Sequence, residues 1–253
     1  MNICGYLCEM STNHKQIFPY VAMILAAGRG ERMRPLTDLK PKPLLKVGGR
    51  ALIEYQIDGL AKAGFTDIVI NHAYFGAMIE CALGDGSRYG VKIHYSPEKV
   101  VLETAGGIAN ALPLLTYFGD YPFLVVNADI YCDMAYADLL PAMKIMRSDP
   151  NCLAYLVLVN NPPHHAEGDF TLRQGLVMLE GSHKLTFSGI GVYQPSLFRE
   201  VVPGIAVKLS VLLKQAMQLG SVRGEYFSGV WVDIGTPERL VTLDRQLSRR
   251  SVV

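Results

Sequence analysis

Val21-Ala22-Met23-Ile24-Leu25-Ala26-Ala27-Gly28-Arg29-Gly30-Glu31-Arg32-Met33-Arg34-Pro35, with Pro41-Lys42-Pro43 shortly after, decides how this chain reads. Val21 to Leu25 is an apolar run of the kind that forms a buried strand. The glycines that follow let backbone N–H groups approach a phosphate closely, because Gly carries no Cβ and tolerates positive φ. Arginine and lysine supply the charge that a polyphosphate demands. A Walker loop would need Gly-x-x-x-x-Gly-Lys-Ser/Thr, and a dinucleotide fingerprint would need Gly-x-Gly-x-x-Gly running directly into a helix. Neither fits. Pro35 stops the chain soon after Gly30, and Pro41 and Pro43 hold Lys42 in an extended stretch.

Outward from that loop the first half alternates strands and helices. Helices are expected over Ala51–Ala63 (ended by Gly64), Tyr74–Leu83, Ala105–Leu112 and Tyr136–Met146. Strands are expected at Asp67–Asn71, Val91–Tyr95, Phe123–Asn127 and Leu153–Val159. This alternation predicts an α/β fold, a mostly parallel sheet with helices on both faces. The pattern then changes. Phe170–Leu172 and Leu176–Leu179, joined through Gln174-Gly175, read as a hairpin, and Thr186–Tyr193 as a further strand. Val207–Leu219 is an amphipathic helix, Trp231–Asp233 a short strand, and Pro237–Leu247 a last helix with Pro in its first turn. A small antiparallel lobe is expected from about residues 160–230. No linker or repeat interrupts the chain, so residues 19–250 read as one domain and residues 1–18, polar and unpatterned, as an extension outside it.

With 253 residues, 50% of them hydrophobic and 19% charged, the chain can build a sizeable core, and extensive disorder is excluded. A formal net charge of +1 provides no basic field for nucleic acid or an anionic membrane, so any phosphate chemistry must be local. The five cysteines are scattered, with no CxxC pair, which fits a reducing cytosol and a cytoplasmic protein better than a disulfide framework or zinc site. Lys15, the run Ile17–Leu25 and Ala26-Ala27 imitate an export signal, but Pro19 interrupts the run and cleavage would sever the strand from its loop. No apolar run is long enough to span a membrane.

In an open α/β sheet ligands bind beyond the carboxyl ends of the strands, where the glycine loop sits. Asp129 follows the strand Phe123–Asn127, and Asp233 ends Trp231-Val232. Two carboxylates plus phosphate oxygens are the usual way to hold Mg²⁺. An Asp in such a place also serves as a helix cap or turn residue. Glu103-Thr104-Ala105-Gly106-Gly107 opens a helix with Thr104 as its expected cap, and its small residues either make room for a flat ring or allow tight helix packing. His164-His165 reads as a solvated loop rather than a metal site, and His72 and His94 as incidental.

These residues carry a likeness. The chain resembles the sugar-1-phosphate nucleotidyltransferases from about Met23 to Leu247, through the loop and Lys42, Glu103–Gly107, Asn127-Ala128-Asp129 and Trp231–Thr236. The resemblance implies a Rossmann-like sheet whose antiparallel lobe binds the sugar. Ile70–Ala73, Gly84–Arg88, Asn161–His165, Gly168–Phe170 and Leu185–Ile190 match a branch that transfers UMP from UTP to N-acetylmuramic acid 1-phosphate in cell-wall recycling and releases pyrophosphate. The resemblance further implies that Leu25, Ala26, Ala27, Gly28, Gly30, Glu31, Arg32, Glu98, Thr104 and Gly106 meet the nucleotide, with Glu98 and Thr104 at the uracil. Arg32 and Lys42 would act on the phosphates, Asp129 and Asp233 would hold Mg²⁺, and Asn127, Asp169 and Ser188 would face the sugar. UTP and a sugar 1-phosphate are the expected partners of a monomer or small homo-oligomer. Another sugar 1-phosphate (mannose, glucose or N-acetylglucosamine), dTTP or GTP, and a non-catalytic nucleotide-sugar sensor stay open as alternatives. Two departures stand out: Ala128 where many relatives carry Gly, and no Glu-Lys-Pro segment, which leaves Lys184 and Lys208 as candidates for its lysine.

Overall fold

The structure, a computed structural model, describes residues 20–250, with side chains as far as residue 248. The expected extension at 1–18 lies outside the described residues. In chain order the strands are β1 (Val21–Leu25), β2 (Lys46–Val47), β3 (Arg50–Ala51), β4 (Asp67–His72), β5 (Lys92–Pro97), β6 (Phe123–Asn127) and β7 (Ile130–Cys132). They continue with β8 (Ala154–Val159), β9 (Phe170–Arg173), β10 (Leu176–Met178), β11 (Lys184–Tyr193), β12 (Val222–Tyr226) and β13 (Trp231–Asp233). The helices are α1 (Leu52–Lys62), α2 (Gly76–Leu83), α3 (Glu103–Leu115), α4 (Leu140–Ser148), α5 (Leu209–Gln218) and α6 (Pro237–Arg250).

Nine strands form one sheet in the order β5-β4-β1-β6-β11-β8-β12-β10-β9. The first four are parallel, as the alternation predicts. Strand β11 then enters antiparallel between β6 and β8. Beyond it β12 runs parallel to β8, β10 and β9 are antiparallel, and β9 returns to pair with the start of β11, so this end of the sheet curls on itself. In the expected hairpin, Gln174 and Gly175 both have positive φ, 51° and 76°, the geometry that matches strand twist in a two-residue turn. Residues 222–226 carry no strand signal, since Gly224 is interior and Arg223 and Glu225 are polar, yet they form β12 against β8.

Side chains alternate across the sheet. Ala22, Ile24, Ile68, Ile70 and Leu124 meet Ile53, Ile57 and Leu60 of α1 and Met143 and Met146 of α4. Val21, Met23, Val69 and Val125 meet Ile108 of α3 and Leu209 and Leu213 of α5 on the other side. Each such Val, Leu, Ile or Met side chain contributes about 1.5–3 kcal/mol when fully buried, which fixes the register of the central strands. That register places Asn71 and Asn127 on either side of Leu25 at the carboxyl edge. A third cluster, with Met33, Leu45, Val47 and Ile234 against Leu240 and Leu243 of α6, fastens the glycine loop to the C-terminal helix.

Candidate active site

Past Leu25 the chain turns through the glycine loop, and Gly30 takes up φ 65°, the left-handed region that Gly occupies without strain. A short 3₁₀ turn (Glu31–Met33) follows, and Thr37 Oγ1 donates to the Gly30 carbonyl at 2.9 Å. The Pro41–Leu45 stretch folds back against this loop: a Cβ on Gly30 would lie 3.1 Å from Lys42 Cβ. Lys42, 7% exposed, forms an ion pair with Asp129. Arg29 and Arg32 are exposed and have no ion pair among the described residues.

Asp129 follows β6, where the Ala128 N–H donates to the Leu25 carbonyl at 3.0 Å. The next residues form β7, which pairs with β13 rather than joining the main sheet; Asp233 lies opposite Ile130, and Ile234 N–H donates to the Asp129 carbonyl at 2.9 Å. The two carboxylates, about a hundred residues apart in sequence, thus occupy neighbouring positions of one ribbon. Buried Gln56 of α1 secures that ribbon from below, donating to the Ile130 carbonyl at 2.7 Å and accepting from Tyr136. Asp233 is paired with Arg239 of α6.

Three adjoining cavities follow the sheet edge. One of about 410 Å³ is bounded by Gly28, Gly30, Glu31, Arg32, Lys42 and Asp129. Sharing Gly28 and Asp129 with it is a cavity of about 230 Å³ with Leu25, Ala27, Asn71, Glu98, Thr104 and Asn127 in its wall. The third, about 290 Å³, shares Leu25, Thr104 and Asn127 and extends to Asp169, Phe187, Gly189 and Lys208. Together they form a groove from the glycine loop, past the Lys42–Asp129 pair, to the antiparallel strands.

Within the second cavity Ala26 N–H donates to Asn71 Oδ1 at 2.9 Å and Asn71 Nδ2 donates to Glu98 Oε1 at 2.6 Å. Leu102 N–H donates to Glu98 Oε2 at 3.0 Å. Burial pushes the Glu98 carboxyl above its usual value, while the bonds from Asn71 and Leu102 act the other way. Thr104 is not a cap: α3 begins at Glu103 after Leu102, with Glu103 at φ 58°, and the Thr104 side chain lines the cavity instead. A non-glycine residue in that region is a strained one, of the kind that clusters at functional sites.

Two expected contacts do not fit the groove. Gly106 does not face it; Ala105 and Gly106 N–H groups donate to the Val207 carbonyl at 2.9 and 3.2 Å, and a Cβ at Gly106 would strike the Ile205 carbonyl. Gly107 likewise makes room for Glu98 and Asn71, from which a Cβ would lie 2.7 and 2.8 Å away. The small residues of this segment therefore serve close packing rather than a ring. Ser188 is also withdrawn: 1% exposed, it donates to the Val157 carbonyl at 2.7 Å and accepts from Ile190 N–H at 3.1 Å. Its place in the bulge of β11 turns the hydroxyl into the sheet. Asn127 and Asp169 do line the third cavity, Asp169 accepting from Phe187 N–H at 2.8 Å and contacting His165 at 3.1 Å. Of the two candidate lysines, Lys208 lines the groove; Lys184 sits in the β9–β11 ladder opposite Thr171.

His164 is not a bystander in a solvated loop. Its Nε2 lies 2.9 Å from Asp233 and 2.6 Å from the Arg239 guanidinium. His72 and His94 pair with Glu80 and Asp67 away from the groove. Among the described residues no three acidic, His or Cys side chains gather into a metal cage. Two carboxylates without a cage suit a hard divalent cation that arrives with phosphate oxygens, and the cations of Lys42 and Arg239 now stand against those carboxylates.

Residues 21–168 match the nucleotidyl transferase family. The chain is 52% identical over 224 residues to an N-acetylmuramate alpha-1-phosphate uridylyltransferase from Neisseria meningitidis, covering 87% of this chain and 94% of the relative. A protein of the same description from Caulobacter vibrioides is 33% identical over 240 residues, covering 91% of this chain and 98% of the relative. In fold, the chain matches a UDP-glucose pyrophosphorylase complexed with UDP-glucose at a TM-score of 0.73 and 18% identity, over 92% of this chain and 99% of that one. No helix among the described residues is long and apolar enough to cross a membrane.

Proposed function

The chain belongs to the nucleotidyl transferase family, and we propose that it transfers UMP from UTP to N-acetylmuramic acid 1-phosphate, releasing pyrophosphate, as a step in cell-wall recycling. The observation that carries this reading is the Lys42–Asp129 pair where the loop cavity meets the cavity walled by Asn71, Glu98 and Thr104. A triphosphate laid on the glycine loop puts its α-phosphorus at that junction, with uracil against Asn71, Glu98 and Thr104. The sugar phosphate then enters from the side of Asn127, Asp169 and Lys208.

The chemistry is in-line displacement at the α-phosphorus by an oxygen of the sugar phosphate. A phosphate monoester, with a second pKa of about 6, is already anionic near neutrality. No general base is needed, and catalysis consists of bringing two anions together. Backbone N–H groups around Gly28 and Gly30 orient the triphosphate, Arg32 draws charge toward the leaving pyrophosphate, and Lys42 neutralises the α-phosphate and the entering oxygen. Asp129 and Asp233 would hold a divalent cation, for which we take Mg²⁺; bound there, it offsets the charge that builds on the phosphate oxygens. Lys208 fills the place of the family lysine that the chain lacks.

Pyrophosphate release across a matrix of UTP, dTTP and GTP against N-acetylmuramic acid, N-acetylglucosamine, glucose and mannose 1-phosphates tests the reading. The highest kcat/KM is expected with UTP and N-acetylmuramic acid 1-phosphate, and no turnover without Mg²⁺. A higher value for any other pair, or turnover in chelator, contradicts it.

A further inference from the structure

Arg239 stands in the first turn of α6, where a helix dipole disfavours a cation and favours an anion. Its guanidinium lies over Gly235, and a Cβ there would collide with it. It reaches back six residues to Asp233, and the two side chains are 21% and 27% exposed. His164 Nε2, brought in by the 3₁₀ turn Pro163–His165, lies 2.6 Å from the same guanidinium. Asn161 holds that turn in place: its Nδ2 donates to the carbonyls of Ala166 and Lys184 at 3.0 and 2.9 Å. A glycine and a histidine therefore seat one cation on one carboxylate, against the adverse helix position.

The seat is not generic ion pairing. Arg29 and Arg32, which face the loop cavity, are left without ion pairs among the described residues, whereas each of the two carboxylates carries a cation of its own. Lys42 on Asp129 belongs to the phosphate machinery already described. Arg239 on Asp233 has no such role.

We infer that Arg239 is a positioning residue that occupies Asp233 until a nucleotide-borne divalent cation claims the carboxylate, so that metal and triphosphate bind together rather than separately. The inference rests on the assignment of Asp129 and Asp233 as the metal-holding carboxylates. A cation seated on Asp233 competes with free metal. The triphosphate removes that disadvantage, because its phosphate oxygens add ligands for the metal, while His164 stays beside the released guanidinium. Binding linkage makes the effect reciprocal: whatever factor the nucleotide contributes to metal affinity, the metal returns to nucleotide affinity.

The test is Mn²⁺ binding to the full chain, read by the electron paramagnetic resonance of free Mn²⁺, with and without a non-hydrolysable α,β-methylene analogue of UTP. In the wild type the analogue should tighten Mn²⁺ binding strongly. Arg239→Gln should bind Mn²⁺ alone about tenfold more tightly and should shrink the tightening by the analogue about tenfold, within the usual range of coupling factors. Arg239→Lys, which keeps the charge, should stay close to the wild type. Equal weakening of Mn²⁺ binding in both states by Arg239→Gln would show a mere brace and overturn the inference, as would an unchanged tightening factor or a lysine variant that behaves like the glutamine one. If Asp233→Asn leaves Mn²⁺ binding intact in both states, the metal assignment itself falls and takes the inference with it.

Discussion

The two ends of the groove are built in different ways. At the glycine-loop end, four adjacent parallel strands with apolar registers on both faces deliver Leu25, Asn71 and Asn127 to one edge as a consequence of core packing. At the antiparallel end, the walls come from the bulge of β11, the loop before β9 and the N-terminus of α5, elements that meet because the sheet curls back through β9. The glycine-loop end is therefore fixed by the core, while many polar residues at the antiparallel end spend their hydrogen bonds on holding loops together. Asp169 on Phe187 N–H, Asn161 on Lys184 and Ser188 on Val157 are of that kind.

Lys42→Ala challenges this contrast most severely. Loss of one preorganised charge at the reacting phosphorus typically costs about 10²–10³ in kcat, and that fall is expected in steady-state turnover with the fold intact; a near-normal kcat would remove the junction from the chemistry. Next comes Lys208→Ala at the other end. A charge-assisted hydrogen bond is worth about 1.5–3 kcal/mol, so KM for the sugar phosphate should rise by about 10–100-fold while KM for UTP stays put. A matching rise in both would mean that the two ends are not separate sites.

Smaller effects are expected at Gly28 and Ser188. A Cβ on Gly28 meets nothing within 4 Å in the protein itself, so Gly28→Ala should leave the melting temperature unchanged. Because Gly28 lines the loop cavity proposed for the triphosphate, KM for UTP should rise by about tenfold, equivalent to ~1.4 kcal/mol. Ser188→Ala is the converse. It strips a partner from the buried Val157 carbonyl and Ile190 N–H, a loss of about 1–3 kcal/mol, so Tm should drop by several degrees with kcat/KM preserved. A Ser188→Ala protein of normal stability but poor sugar affinity would restore the hydroxyl to the sugar site.

The same contrast explains what could be read from residues alone. The parallel strands, and the placing of the glycine loop, Lys42 and Asp129 at one sheet edge, were legible because each is encoded locally, by a continuous apolar run that is buried on both faces and by the glycine or charge that follows it. Asn71 closes an expected strand at the same edge as Asn127 and could have been found by aligning strand ends. Strand β12 hid behind Gly224 and two charged residues, and Gln56 gave no local signal because its partner is a carbonyl far along the chain. Gly106 and Ser188 were misplaced for one reason: small and hydroxyl residues look the same in sequence whether they face a ligand or another backbone. Arg239 did leave a trace, a cation in the first turn of a helix, but His164 could be tied to it only through the fold.

Two anions, one drawn in from each end of the groove, are expected to meet at Lys42 and Asp129. A crystal structure of the protein with bound UDP-sugar product tests it most directly. The diphosphate is expected against Lys42 and the glycine loop, with uracil beside Asn71 and Glu98 and the sugar beside Asp169 and Lys208. A diphosphate out of reach of Lys42, or a uracil seated among the antiparallel strands, would contradict it.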